Sequence, residues 1–289
     1  MNIYGYRFIE TIGFGSFGTV YKCLDKNDNV RCIKRIKLID SKENIHFEMI
    51  RQEIYLLQNL IHPRIIRLYS YFYSNDGDYI HIIMEYASHG SLAKLIASQL
   101  KKDEFLHESV IKGFFLDMLM GIEFLHMKNV VHKDLKPDNI LIGDNGRLKI
   151  ADFGVSHITN IDNYDLTTII NNNKLKKMAG TPIYMSPETL IKHEFSFSSD
   201  VWALGCILYE LCILKPAFDF VETMVDLIRC TLTKSYIPIN STVELYSKEL
   251  VSMCESMMIV QVSNRATIKE IISSPYIVVD YYRRYFDFN

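Results

Sequence analysis

The chain has 289 residues, 48% of them apolar and 23% charged, enough to bury a sizeable core in one large domain or two small ones. A count of 32 Lys and Arg against 34 Asp and Glu leaves a net charge of -2, which excludes the basic excess expected of a nucleic-acid-binding protein. Cys23, Cys32, Cys206, Cys212, Cys230 and Cys254 form no C-x-x-C pair, so zinc and redox motifs lack support and a reduced, cytoplasmic protein is expected, without excluding the nucleus.

The opening residues show no charged stretch followed by an apolar one, so no secretory leader is expected, and Asn2 does not suit myristoylation. Segments 6–12, 19–24 and 30–36 read as short strands separated by turn formers such as Asn27-Asp28-Asn29. Between the first two lies Gly13-Phe14-Gly15-Ser16-Phe17-Gly18-Thr19-Val20. A dinucleotide fold would open a helix straight after such glycines, but 19–24 alternates like a strand. The glycines therefore tip a hairpin whose backbone N–H groups can approach phosphate closely. In the third strand, Lys34 shares a face with Val30, Cys32 and Ile36, which predicts a semi-buried site and demands an anionic partner. The helix-period segment 43–60 offers one. Met49, Ile50, Leu57 and Leu60 fall at i−4, i−3, i+4 and i+7 from Glu53, so Glu53 lies on the inward stripe. Strands over 66–74 and 79–84 follow.

Beyond Tyr86 the periodicity turns helical, over 91–98, 109–127, 199–214, 221–232, 243–258 and 267–272, with one hairpin built from 139–142 and 148–152. The run 201–214 is the most apolar, but it contains Glu210 and is too short for a bilayer, so a buried core helix is expected. A strand-rich part followed by a helix-rich part is an α+β, two-lobed plan. It predicts a small antiparallel-sheet lobe with one main helix over 1–84, a hinge over 85–89 and a large, mostly helical lobe over 90–289, with a ligand cleft between them. The segment His132-Lys133-Asp134-Leu135-Lys136-Pro137-Asp138-Asn139 gathers an acid, a base and an amide where Pro137 forbids continued helix; alone it would read as a polar surface loop. Asp152-Phe153-Gly154 follows a strand in which Leu148, Ile150 and Asp152 share a face, and a carboxylate there calls for a cation, naturally Mg²⁺.

In their order and spacing these motifs resemble those of the eukaryotic protein kinases over essentially the whole chain. Arg31-Cys32-Ile33-Lys34 stands for the family's V-A-I-K and Ser186-Pro187-Glu188 for its A-P-E; Asp200-Val201-Trp202 with Gly205, and Arg265 as partner of Glu188, match further landmarks. The resemblance implies an α+β kinase fold and transfer of the ATP γ-phosphate to serine or threonine of protein substrates, with Mg²⁺, or Mn²⁺ in its place. It assigns ATP binding to Ile12, Gly13, Gly15, Ser16, Phe17, Gly18, Val20, Cys32, Lys34, Met84, Glu85, Ala87, Ser91 and Leu141, with Met84 as gatekeeper. Glu53 would position Lys34, Asn139 and Asp152 would bind the metal, and Asp134 would accept the substrate hydroxyl proton. Lys136 and Thr181 match the serine/threonine pattern, with the Thr181 hydroxyl directed to Asp134 and Lys136. Leu57, Leu68, His132 and Phe153 match the stack that ties the active arrangement together. The strings around Gly180 to Glu188 and Trp202 to Cys206 look most like the NIMA-related kinases.

Two departures stand out. The family's usual Arg before the catalytic Asp is Lys133, and the segment 171–180 holds lysines but no Ser, Thr or Tyr, leaving Thr167 and Thr168 further back. Lysine lacks the bidentate fork that suits a phosphate. The expectation is an enzyme that needs no activation-loop phosphate, either constitutively active or switched by a regulatory protein partner acting on the Glu53 helix. No nucleic-acid or membrane partner is expected. The competing readings are a pseudokinase scaffold, opposed by the presence of Lys34, Asp134 and Asp152, and a small-molecule kinase, opposed by Thr181 and Ser186-Pro187-Glu188.

Overall fold

β-branched and aromatic residues alternating with charged ones draw the first third of the chain into a six-stranded antiparallel sheet of order β1-β2-β3-β4-β6-β5. The structure, a computed structural model, describes residues 2–3, 5–15, 18–38, 45–158, 182–239 and 245–286. The strands are β1 (Asn2–Ile3), β2 (Tyr6–Gly15), β3 (Gly18–Leu24), β4 (Val30–Lys37), β5 (Leu68–Tyr73) and β6 (Tyr79–Glu85), and the helix α1 (Ile45–Asn59) comes between β4 and β5 in the chain. β4 is central and covered on both faces. Ile33 packs with Cys23 and Ile83 on one side, while Ile36 packs with Ile50 and Ile54 of α1 and with Ile80 and Ile82 on the other. Lys34, one step from Ile33, therefore points toward the α1 side. β2 runs three residues beyond the expected 6–12, so that Gly13 pairs with Val20 and Gly15 with Gly18. Gly18 has a steric reason of its own: a Cβ there would sit 2.0 Å from the Arg35 carbonyl oxygen of β4.

The remainder is mostly helical: α2 (Leu92–Lys102), α3 (Glu108–Met127), α4 (Pro187–Lys192), α5 (Phe197–Ile213), α6 (Met224–Thr233), α7 (Lys248–Met257), α8 (Ile268–Ser273) and α9 (Val278–Phe286). Two small ribbons interrupt it, β8 (Ile140–Ile142) against β9 (Leu148–Ile150), and β7 (Val130–Val131) against β10 (His157–Ile158). α5 is buried continuously from Ser199 to Ile213, as its apolar run predicts, and among the described residues no helix is long and apolar enough to cross a membrane. The main core centres on α3 and α5 and reaches Leu56, Leu57 and Leu60 of α1, so one apolar cluster spans both lobes of this α+β fold.

Several expected boundaries shift. α2 extends to Lys102 rather than stopping at 98, closed by Asp103 in the left-handed region, and the strand expected over 66–74 is β5, Leu68–Tyr73. The helix expected over 243–258 is described from Lys248, where the Ser247 hydroxyl accepts the Leu250 N–H at 3.2 Å. α4 and α9 are additions to the expected helices. β9 ends at Ile150 and Asp152 has φ of 64°, so strand alternation does not extend to Asp152.

Candidate active site

Lys34 and Glu53 meet, as the faces of their strand and helix predict. The Lys34 Nζ donates to Glu53 Oε1 at 2.7 Å, and both residues are almost fully buried. Asp152 closes the arrangement, with Oδ1 3.5 Å from the same ammonium. Burial alone would lower the Lys34 pKa, but the Glu53 and Asp152 carboxylates outweigh it and hold the ammonium above its ordinary range. Burial likewise works against the Asp152 carboxylate, yet Lys34 and His132 keep it below its ordinary value. Phe153 is fully buried and meets the His132 ring edge-on at 5.1 Å. Leu57 and Phe153 belong to the main core, and partly buried Leu68 packs against both that core and the α1-side sheet cluster.

The loop from His132 to Asn139 is held from beneath by one buried carboxylate. Asp200, in the first turn of α5, accepts the His132 N–H at 2.9 Å, the Lys133 N–H at 3.1 Å and the His126 ring at 3.0 Å. Lys133 takes φ of 71°, which turns the chain so that Asp134 faces the cleft. Lys136 Nζ donates to Asp134 Oδ2 at 2.7 Å, and Asn139 Nδ2 donates to the same oxygen at 2.9 Å and to the Asp134 carbonyl at 2.8 Å. Because the Asn139 nitrogen is used there, its amide oxygen is the atom left for a ligand. Ala151 N–H donates to the Asn139 carbonyl at 2.9 Å, which docks the residue preceding Asp152 onto this loop.

Val20 pairs with Lys34 and Cys32 with Met84 in the sheet register, which lines Val20, Cys32 and Met84 along one path above the cleft. Burial pushes the Cys32 thiol up to about 12, so it stays protonated. Leu141 is brought up from the other lobe because the chain after β6 docks onto β8: His89 N–H donates to the Ile142 carbonyl at 3.2 Å and Ile142 N–H to the Gly90 carbonyl at 2.8 Å. The Glu85 side chain points back to Lys149 (3.0 Å) and the Arg67 N–H (3.3 Å), and its own N–H donates to the Arg67 carbonyl. The Ala87 carbonyl accepts the Gly90 N–H at 3.4 Å. Ser91 bridges to Leu141 and caps α2, its hydroxyl accepting the Lys94 N–H at 3.4 Å. Ile12 and Gly13 lie on β2 over this region. Ser16, Phe17 and Thr181 lie outside the described residues.

On the far side, Arg265 grips Glu188 with two bonds of 2.6 and 2.9 Å and also donates to the carbonyls of Ile259 and Ser198. One pair was not anticipated. The Tyr184 hydroxyl donates to Glu210 Oε2 at 2.6 Å, and burial in the apolar helix α5 pushes that carboxyl up to about 7. The signal was the acid inside the 201–214 run, which sequence pattern marks as odd without naming its partner.

The family described as protein kinase domain matches residues 6–277. The chain is 30% identical over 289 residues to the human serine/threonine-protein kinase Nek2, covering 96% of this chain and 62% of that protein. It is 31% identical over 281 residues to the serine/threonine-protein kinase nekl-2 of Caenorhabditis elegans, covering 94% and 74%. Against human Nek5 it is 30% identical over 274 residues, 94% of this chain but 36% of the relative, so the chain spans only part of the length of several relatives it matches. With the cleft geometry and these matches together, the chain belongs to the eukaryotic protein kinase family, serine/threonine type, among the NIMA-related members.

Proposed function

We propose that this chain transfers the γ-phosphate of ATP to serine or threonine hydroxyls of protein substrates. The observation that carries the reading is the closed set of Lys34, Glu53 and Asp152 beside an Asp134 held by Lys136 and Asn139. In this reading Lys34 clamps the α- and β-phosphates while Glu53 fixes its position, and the sheet above with Leu141 below sandwiches the adenine against the hinge at 85–89, between lobes 1–84 and 90–289. Asp134 takes the hydroxyl proton. Its Oδ2 is occupied by Lys136 and Asn139, so Oδ1, which accepts no hydrogen bond among the described residues, is the atom that faces the substrate. Lys136 balances charge as phosphate moves to the hydroxyl.

Asn139 and Asp152 suit a hard divalent cation such as Mg²⁺, with Mn²⁺ as a substitute: both offer oxygen, and Asp152 stays ionised. Among the described residues no group of three or more His, Cys, Asp or Glu side chains forms a cage, which fits an ion completed by substrate phosphates. Such an ion, when bound, neutralises phosphate charge. The six cysteines are all free and buried, which supports a reducing compartment such as the cytoplasm.

The test is phosphorylation of a generic protein substrate with ATP and Mg²⁺, beside an Asp134→Asn variant. Turnover of the variant should fall about 10²–10⁴-fold, the usual general-base contribution, with ATP affinity nearly unchanged. ATP binding without any transfer by the unaltered protein would instead identify a pseudokinase scaffold.

A further inference from the structure

Away from the cleft, the first turns of α3, the turn between β8 and β9, and α9 line an open depression of about 320 Å³. Its wall carries Lys112, Arg147, Arg283 and Arg284 against one carboxylate, Asp280. Asp280 is already shared, 2.6 Å from Lys112 and 3.1 Å from Arg283. Glu108, one turn before Lys112, is turned away to Ser247 and Tyr276. Arg147 has no carboxylate partner among the described residues. The wall thus holds an uncompensated positive charge in a concave place.

Arg284 is also pre-set for a ligand. Its Nε and Nη2 each donate to the fully buried Asp117 at 2.8 Å, which locks the guanidinium plane. That leaves Nη1 facing α3, at Gly113. A Cβ on Gly113 would lie 3.6 Å from Nη1, so the missing side chain is what keeps that face of the guanidinium open. Behind it, burial pushes Arg64 down to about 10 in spite of Asp117, with Arg147 and Arg284 acting in the same direction as burial. The Ser109 hydroxyl at the rim adds a further polar group.

We propose that this depression binds a phosphate monoester dianion carried by a phosphoserine or phosphothreonine side chain of a protein partner. Guanidinium forks match phosphate oxygens two at a time, and a phosphate of −1.5 to −2 charge answers the excess on the wall. A carboxylate brings half the charge and fewer acceptors. Binding there is independent of catalysis.

Fluorescence anisotropy of a labelled phosphoserine hexapeptide, and of its serine counterpart, tests it on the whole chain with the nucleotide cleft saturated by a non-hydrolysable ATP analogue and Mg²⁺. The phosphopeptide should bind and the serine peptide should not. Affinity should weaken from pH 7.5 to 5.5, as the phosphate gives up its second charge near pH 6. Arg147→Gln should weaken binding about tenfold or more while leaving phosphoryl transfer unchanged. That variant keeps the turn, because the bond to Asn145 Oδ1 at 3.1 Å uses the Arg147 backbone N–H. Gly113→Ala should weaken it too, without loss of thermal stability, by covering Nη1. Equal binding of the two peptides, wild-type affinity in Arg147→Gln, or no binding at millimolar phosphopeptide would each overturn the proposal. Inorganic phosphate binding as tightly as the phosphopeptide would overturn the protein-partner assignment.

Discussion

Lys34 is a cation whose solvent has been replaced by two carboxylates, and it holds Glu53 in place as much as Glu53 holds it. Replacing it with Met therefore does two separable things. It removes the proposed phosphate clamp, and it leaves Glu53, only 2% exposed, without its counter-ion. Stranding a buried partner costs about 3–5 kcal/mol. Lys34→Met should lose both transfer and that much stability in chemical denaturation. Lys34→Met with Glu53→Leu should regain most of the stability and none of the activity, a coupling that a double-mutant cycle isolates. A single variant as stable as the native chain would show that the pair contributes nothing net. This pair was legible because each residue sits in a periodic element whose apolar neighbours declare which way it points. Asp152 was less so. Its left-handed backbone breaks the strand alternation, and it is Lys34, with His132 behind it, that offsets burial and lowers its proton affinity.

At the level of elements, α5 shows how an apolar helix tolerates acids. Asp200 at its start is satisfied by backbone N–H groups and His126, whereas Glu210 near its end has the Tyr184 hydroxyl and little else to offset burial. The Glu210 carboxyl, raised from 4.5 to about 7, binds a proton more tightly folded than unfolded. Its contribution to stability is thus full below pH 4.5 and is lost as pH rises through about 7. At 1.36 kcal/mol per pKa unit the loss is of order 3 kcal/mol. Urea denaturation at pH 5 and pH 8 should show Glu210→Gln losing less stability across that range than the native chain; identical pH dependence would refute the assignment. Elements with long, regular periodicity, such as α3 and α5, were legible to within one or two residues. α9 was not, since Val278 to Phe286 mixes aromatics and arginines in a pattern that resembles a polar tail, and its buried residue is Tyr281 alone. β7 and β10 are two residues each and exist only because distant segments pair, which no local pattern reveals.

Across the whole molecule, the loop expected to carry regulation lies at 159–181, outside the described residues, with Thr167 and Thr168 in it. Its usual receiver is described, and it is occupied. The Lys133 ammonium lies 5.1 Å over the Phe195 ring, and burial pushes it down to about 8 despite the nearby Asp200 carboxylate. A part-buried ammonium laid over an aromatic ring, with no bidentate fork, is a poorer partner for a phosphate than a guanidinium. Treating the purified protein with a broad phosphatase, and assaying Thr167→Ala/Thr168→Ala beside it, should leave activity within about tenfold, or 1.4 kcal/mol of barrier. A larger drop in either sample would restore the ordinary phosphate-switched scheme. The Asp200 anchor explains why Lys133 can differ from the family pattern at all: it grips that residue by its N–H, so the loop keeps its shape whatever side chain follows.

The carboxylate of Asp117 binds Arg64, which precedes it in the chain, and Arg284, which follows it by 167 positions. At a synthesis rate of about 5–20 residues per second, Arg284 leaves the ribosome roughly 10–30 s after Asp117. Throughout that interval α3 has only Arg64 to neutralise its buried acid, and the groove that α9 will cover lies open. Docking of α9 onto α3 therefore waits on translation, and this helix arrives late, as a clasp over a lobe already begun.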